Sequence, residues 1–310
     1  MATTQATPEL IVSKRVITVP PAQRSLARQL ESFLPYLLLL PSSLFLLIFI
    51  ALPMVQALIL SIRSPEGVWT LQYLNTMVHD VNFVDALRNT FLIILLAVPL
   101  QFVFAIVMGL LLQNNLRGSS LFLYFWTIPL AVSDLAAGLV WLAVFGDRGY
   151  LNSVLRITGI MPIAFSWLSF ENYGTLLMAV VIAEVWRATA IVMVIVVAGL
   201  QLIPPDYMEA AEVFGASRWQ RIWHVQLPMI RPSLQVALIL RTILAFQVFA
   251  VVIALAGRAM PVLASEAYSR YGELNPNGAA AYALLILTFS LITTVVYLRT
   301  LRTSEEEMGR

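Results

Sequence analysis

Six predominantly apolar runs, each long enough to cross a bilayer as a helix, decide what this chain can become. They lie near 34–60, 89–113, 121–145, 174–201, 229–256 and 278–301. A backbone in hydrocarbon has no water to bond, so such runs must close their own hydrogen bonds, and a helix does this within one segment. Composition leaves no soluble alternative. Of the 310 residues, 60% are hydrophobic and 12% charged, too little polar material to cover a water-facing globule. The expected fold class is therefore an all-α membrane protein with six transmembrane helices. Residues 34–301 form its membrane domain, between a polar arm, 1–33, and a short tail, 302–310. Pro35, Pro41 and Pro53 are expected to bend or shorten the first span, and Pro129 with Asp134 to make the third irregular.

An even number of spans puts both termini on one side of the membrane. With the N-terminus inside, the inner segments hold Lys14, Arg15, Arg24, Arg28, Arg117, Arg218, Arg221, Arg231, Arg299, Arg302 and Arg310. The outer loops then hold Arg63, Arg88, Arg148, Arg156, Arg258 and Arg270, so the excess favours cytoplasmic termini. The first run is too long for a signal-peptide core and lacks a small-residue cleavage site, which reads as an uncleaved span. Among the outer loops, 61–88 has room for a short surface helix. The loop at 146–173, with Gly146, Gly149 and Gly159, reads as a re-entrant or interfacial excursion.

Several function classes drop out. A net charge of +2 gives no nucleic-acid footprint, and the absence of cysteine removes disulfides and thiolate metal sites. A phosphate-binding loop needs a glycine-rich turn ending in lysine, and the single lysine, Lys14, has no glycine before it. His79 and His224 fall in loops on opposite sides of the membrane, so no paired-histidine metal site forms. No catalytic or metal-ligating residue is assigned.

The longest polar passage between two apolar runs is Glu209 to Pro228, EAAEVFGASRWQRIWHVQLP. Pro204 and Pro205 end the preceding run, and Asp206 sits where a new helix dipole favours a carboxylate. Gly215 can take the left-handed conformation that closes a helix. Ser217 and Gln220 have the spacing of a capping box, so a second short helix starts there. Trp219, Ile222 and Trp223 share one of its faces. The passage reads as an amphipathic docking surface.

Its spacing is also a signature. Glu209-Ala210-Ala211, three residues, Gly215, nine residues, Val225, one residue and Leu227-Pro228 resemble the EAA loop of ABC importer permeases, with Val225 in place of the usual isoleucine. The flanks, Ala198 to Pro204 and Leu227 to Pro232, look like the carbohydrate branch, whose best-known members carry maltose, trehalose or glycerol phosphate. The family's Gly-Gly-Pro segment after the fifth span is missing, and Gly257-Arg258-Ala259-Met260-Pro261 stands in that region. The resemblance implies the type I importer permease fold, with a cytoplasmic coupling helix in the loop 202–228. It implies that Glu209, Ala210, Ala211, Gly215, Leu227 and Pro228 seat that loop on a separate ATPase, which would bind the ATP and magnesium. The implied partners are a second permease, two ATPase subunits, an extracytoplasmic solute-binding protein and a sugar or sugar-like solute. The implied location is a prokaryotic inner membrane.

Within the spans, the residues that are expensive to bury carry the most information. Asp134, Glu184, Arg187 and Arg241 fall near mid-depth and must face protein or a wet cavity. Glu184 and Arg187, three apart, can pair on one helix, which leaves Asp134 as the expected partner of Arg241. Two readings stay open: a structural ion-pair set, or a translocation pathway that also uses Gln247, with Thr242, Thr189, Ser133, Trp126, Trp141 and Trp186 as further hydrogen-bonding and stacking groups. The rival function class is a secondary transporter or channel with an incidental amphipathic loop. Such proteins usually have repeat-related halves, and no such symmetry is visible in this chain.

Overall fold

The computed structural model describes residues 21–113 and 118–300, so the arm up to residue 20, Arg117 and the tail lie outside the described residues. The chain divides into two compact units, 1–56 and 57–310. In the first, α1 (Pro21–Leu46) runs into one π-helical turn, Leu47–Ala51, and then into the start of α2 (Leu52–Ile62), whose residues from 57 on belong to the second. Pro35 and Pro41 lie inside α1 without ending it, and Leu34–Ile62 is one apolar span. The expected irregularity takes the form of a widened turn.

The second unit is built on two long helices, after the short surface helix α3 (Gln72–Val78) that the first outer loop had room for. These are α4 (Phe83–Gln113) and, further along the chain, α8 (Tyr173–Gln201). Without a hydrophobic force between helices in lipid, close packing depends on small residues. Ala97 and Ala105 of α4, and Ala179 and Ala183 of α8, are buried. A Cβ placed on Gly109 would lie 3.0 Å from Val196 Cγ1, so the two helices nearly touch there.

The third span is bent. Helix α5 (Ser119–Thr127) ends in a 3-10 turn carrying Pro129, Val132 and Ser133 are extended, and α6 (Asp134–Phe145) restarts at a bend of 106°. Helix α7 (Tyr150–Ile157) follows in the glycine-rich excursion. Asn152 holds that excursion together. Its amide donates to the carbonyls of Gly146, Asp147 and Phe165, and its oxygen accepts from Phe165 N and Trp167 Nε1.

The stretch after α8 forms α9 (Pro205–Val213), α10 (Arg218–Arg221), a π turn at Ile222–Gln226 and α11 (Leu227–Met229). The fifth span corrects the expectation of one helix over 229–256. It enters at a 65° bend, runs as α12 (Arg231–Phe246), and breaks at Gln247–Phe249 before α13 (Ala250–Ala256). Phe249, at φ −144° and ψ −63°, lies outside the helical region, although neither proline nor glycine marks the spot. Helix α14 (Leu263–Gly272) lies between this span and the last, α15 (Pro276–Thr300). Among the described residues four helices are long and apolar enough to cross a membrane, and the number rises to six if each of the two bent pairs, at 121–157 and 218–246, is one span.

Three buried apolar clusters follow the bundle. One joins Met77, Ala86, Leu263 and Tyr282 at the end where α4 begins. The second joins Ile93, Val180 and Val251, and the third joins Met108, Val196 and Ile230 towards the 202–230 segment. A polar layer separates the second cluster from the third.

Candidate functional site

The knuckle at 205–229 is shaped by local sequence. Pro205 starts α9, because a missing N–H costs nothing in a first turn, and Asp206 follows it. Gly215 ends it at φ +78°. The bonds from Gly215 N to Glu212 O and from Ala216 N to Ala211 O, both 2.9 Å, form the Schellman pattern that satisfies the final carbonyls. The capping box is present: Ser217 N donates to Gln220 Oε1 at 2.7 Å, and Gln220 N donates to Ser217 Oγ at 3.4 Å. An Arg221–Glu212 ion pair at 3.1 Å links the two short helices. Gln226 Nε2 donates to Gln113 Oε1 at 2.6 Å, tying the knuckle to the end of α4.

The knuckle's surface has few internal partners. Glu209 and Ala210 are exposed, as is Phe214 at 90% and Trp219 at 70%. Ala211, Leu227 and Pro228 are half-buried. Large aromatic groups held outward by a rigid, capped turn are the composition of a protein-binding surface. Beside them a cleft of about 490 Å³ is lined by Glu209, Arg218, Arg221, Met208, Ile203 and Gln226.

The second group of singled-out residues lies in the polar layer. Arg241 donates from Nη2 to Glu184 Oε1 at 2.6 Å and from Nε to Gln101 Oε1 at 2.6 Å. Gln101 in turn donates to the Glu184 carbonyl at 3.0 Å. Arg187 reaches Glu184 Oε1 at 2.9 Å and Asp134 Oδ1 at 2.8 Å. The expected pairing of Arg241 with Asp134 is thus corrected. Helix α12 packs on α8 at Glu184, whereas Asp134 opens α6 beyond the bend and meets Arg187. The layer brings together Asp134, Glu184, Arg187 and Arg241, but not Gln247, which is exposed at the α12–α13 break. Gln101 had no signal beyond being an amide at mid-depth. Ser133 caps α6 through Ala136 N, and Trp141 meets Trp186 edge-on at 6.1 Å. Arg241 Nη1 and Thr242 Oγ1 have no hydrogen-bond partner among the described residues.

A third polar group lies at the end of the bundle opposite the knuckle. Asp80 accepts from Arg270, from Asn82 N at 3.1 Å and from Tyr282 OH at 3.2 Å, and Arg270 also pairs with Glu273 at 3.0 Å. Burial works against the Asp80 carboxylate, yet the Asn82 N–H and the Arg270 guanidinium hold its pKa below the ordinary value. Burial, then the neighbouring Asp80 charge, pushes the Glu266 carboxyl up. The hydrogen bond to Asp80 pushes Arg270 up.

A helical bundle with several helices long and apolar enough to cross a membrane defines a multi-pass membrane protein. The family described as "Binding-protein-dependent transport system inner membrane component" matches residues 78–300, and the chain belongs to it. It is 32% identical to the trehalose/maltose transport system permease protein MalF of Thermococcus litoralis, over 87% of this chain and 94% of that one. It is 31% identical to the trehalose transport system permease protein SugA of Mycobacterium tuberculosis, over 73% of this chain and 74% of that one. Among solved structures, a chain of a bacterial alginate ABC transporter superposes with TM-score 0.75 at 20% identity, covering 89% of this chain and 96% of that one. The fold is that of the type I ABC importer permeases.

Proposed function

We propose that this chain is the membrane subunit of an ATP-driven importer for a sugar or sugar-like solute. It forms half of the translocation pathway and is driven through the 202–228 loop by a separate ATPase. The observation that carries this reading is the knuckle: a turn rigidified by a Schellman motif and a capping box, with Glu209, Phe214 and Trp219 turned outward. The trehalose and maltose transport named for its relatives supports the solute class. The lone Lys14 leaves no place for a phosphate-binding loop, so ATP and magnesium belong to the partner ATPases. On this reading the partners are a second permease, two ATPase subunits and an extracytoplasmic solute-binding protein. The termini and the knuckle face the cytoplasm, with 1–33 as arm, 34–301 as permease domain and 302–310 as tail. Asp134, Glu184, Arg187, Arg241 and Gln247 are the candidate pathway residues.

The test is made in the reconstituted importer. Glu209→Lys reverses the charge at the start of the EAA sequence. Gly215→Pro demands φ near −65° where the backbone sits at +78°. Both should abolish uptake and solute-stimulated ATP hydrolysis while the chain still inserts. Normal transport in either variant, or uptake that follows an ion gradient and not ATP, overturns the reading.

A further inference from the structure

The two interrupted spans break at corresponding places. Val132 and Ser133 are extended just before α6, and Gln247–Phe249 break the chain just before α13. Beyond these joints α6 and α13 are pressed against each other. A Cβ on Gly138 would lie 2.5 Å from Ala254 Cβ and 3.2 Å from Val251 Cα. No larger side chain fits between the helices at this point. The pair packs in one buried apolar cluster with Ile93 and Ala97 of α4 and Leu176 and Val180 of α8, through Val251, Val252 and Trp141, and such contacts are non-directional.

The ion pairs beside the joints divide into two kinds. Glu184–Arg241 is buried on both sides, each side chain 1% exposed, and cannot open without stranding a charge. Asp134–Arg187 can. The Asp134 side chain is 53% exposed, and Arg187 keeps Glu184 at 2.9 Å when Asp134 leaves. Asp134 is also the first residue of α6, where small rotations of the helix displace it most directly.

We propose that α6 and α13 form a hinged body, jointed at Val132–Ser133 and Gln247–Phe249, that Asp134–Arg187 latches to the fixed α4–α8–α12 core. Resting on the importer reading above, this makes Arg187 a positioning residue for opening and closing the pathway.

The chain has no cysteine, so spin labels can be introduced without removing native ones. Labels go on exposed Leu139 of α6 and exposed Met178 of α8, with a second pair, Leu139 and Arg258, the latter in the turn that directly follows α13, reporting on the hinged body. Distances are measured by pulsed spectroscopy in the reconstituted assembly with cysteine-free partners. The Leu139–Met178 pair should give two populations. Asp134→Asn should raise the displaced one by a factor of about 1.4 to 5, the range for loss of an exposed ion pair. Asp134→Glu should restore the wild-type ratio, and Arg187→Lys should fall between. The Leu139–Arg258 distance should stay constant throughout. A Leu139–Met178 distribution unchanged by Asp134→Asn, or a Leu139–Arg258 distance that changes equally, overturns the latch. Solute import by the wild-type assembly is scored separately in the same liposomes, so failure of the importer reading shows there and failure of the latch shows in the distances.

Discussion

Replacing Glu184 with glutamine should destabilise the protein far more than replacing Asp134 with asparagine, although each change removes one carboxylate from the same layer. Glu184 meets Arg241 at 2.6 Å and Arg187 at 2.9 Å, with its side chain 1% exposed. Glutamine retains one acceptor but turns an NH₂ towards the guanidinium donors. Arg241, also 1% exposed, then has no carboxylate within ion-pair distance among the described residues. Removing one partner of a buried pair costs about 3–5 kcal/mol. Asp134 is 53% exposed, so its bridge falls in the range of exposed pairs, about 0.2–1 kcal/mol. An ordinary interhelical hydrogen bond in a membrane bundle averages about 0.6 kcal/mol, so the two cases are separable. Replacing both partners with Glu184→Leu and Arg241→Met should recover much of the loss, because a packed apolar pair avoids the desolvation of two charges. The assay is reversible unfolding in mixed micelles, followed by the fluorescence of the seven tryptophans. If Glu184→Gln costs no more than Asp134→Asn, Glu184 does not neutralise a buried Arg241 and the reasoning fails.

Three further outcomes follow from contacts elsewhere. Gly138→Ala should destabilise by about 1–3 kcal/mol through overpacking against Ala254, and Ala254→Gly in the same chain should return most of it, as read by the same unfolding titration. Gly215→Ala should cost only about 1–2 kcal/mol of local backbone strain, since nothing lies within 4 Å of the added carbon; uptake should be reduced, not abolished, in contrast to Gly215→Pro. The Asp80 pKa lies below its ordinary 3.8, so its contribution to stability is complete above that pH and is lost as pH falls through the folded value. Asp80→Asn should therefore flatten the acid limb of the stability profile below about pH 4. Glu266, shifted upward, acts with the opposite sign: the penalty on its charged form is relieved as pH falls through the folded value.

What could be read from the sequence was what is decided within a few residues or by bulk composition. The capping box at Ser217 and the helix stop at Gly215 are local, and they stand in the structure as their spacing implied. The apolar runs gave the spans for the same reason. The pairing of the buried charges was not legible in the same way. Ranking by depth matched Arg241 with Asp134, but the choice of partner depends on which helices touch, and α12 touches α8 at Glu184. Gln101 escaped notice because an amide costs less to bury than a charge and so does not stand out among leucines. The break at Gln247–Phe249 carries no proline or glycine, so no local signal marks it. The Asp80–Arg270 clip joins residues 190 positions apart, beyond the reach of any local pattern.

One close approach governs how the knuckle can act. A Cβ on Gly199 would fall 2.5 Å from Ser233 Oγ, so the last turn of α8 and the first turn of α12 are clasped where the 202–230 segment leaves and rejoins the bundle. The segment is in effect a handle with both ends riveted to the same post. On the importer reading proposed above, a push on such a handle would reach both helices at once and would not pry them apart.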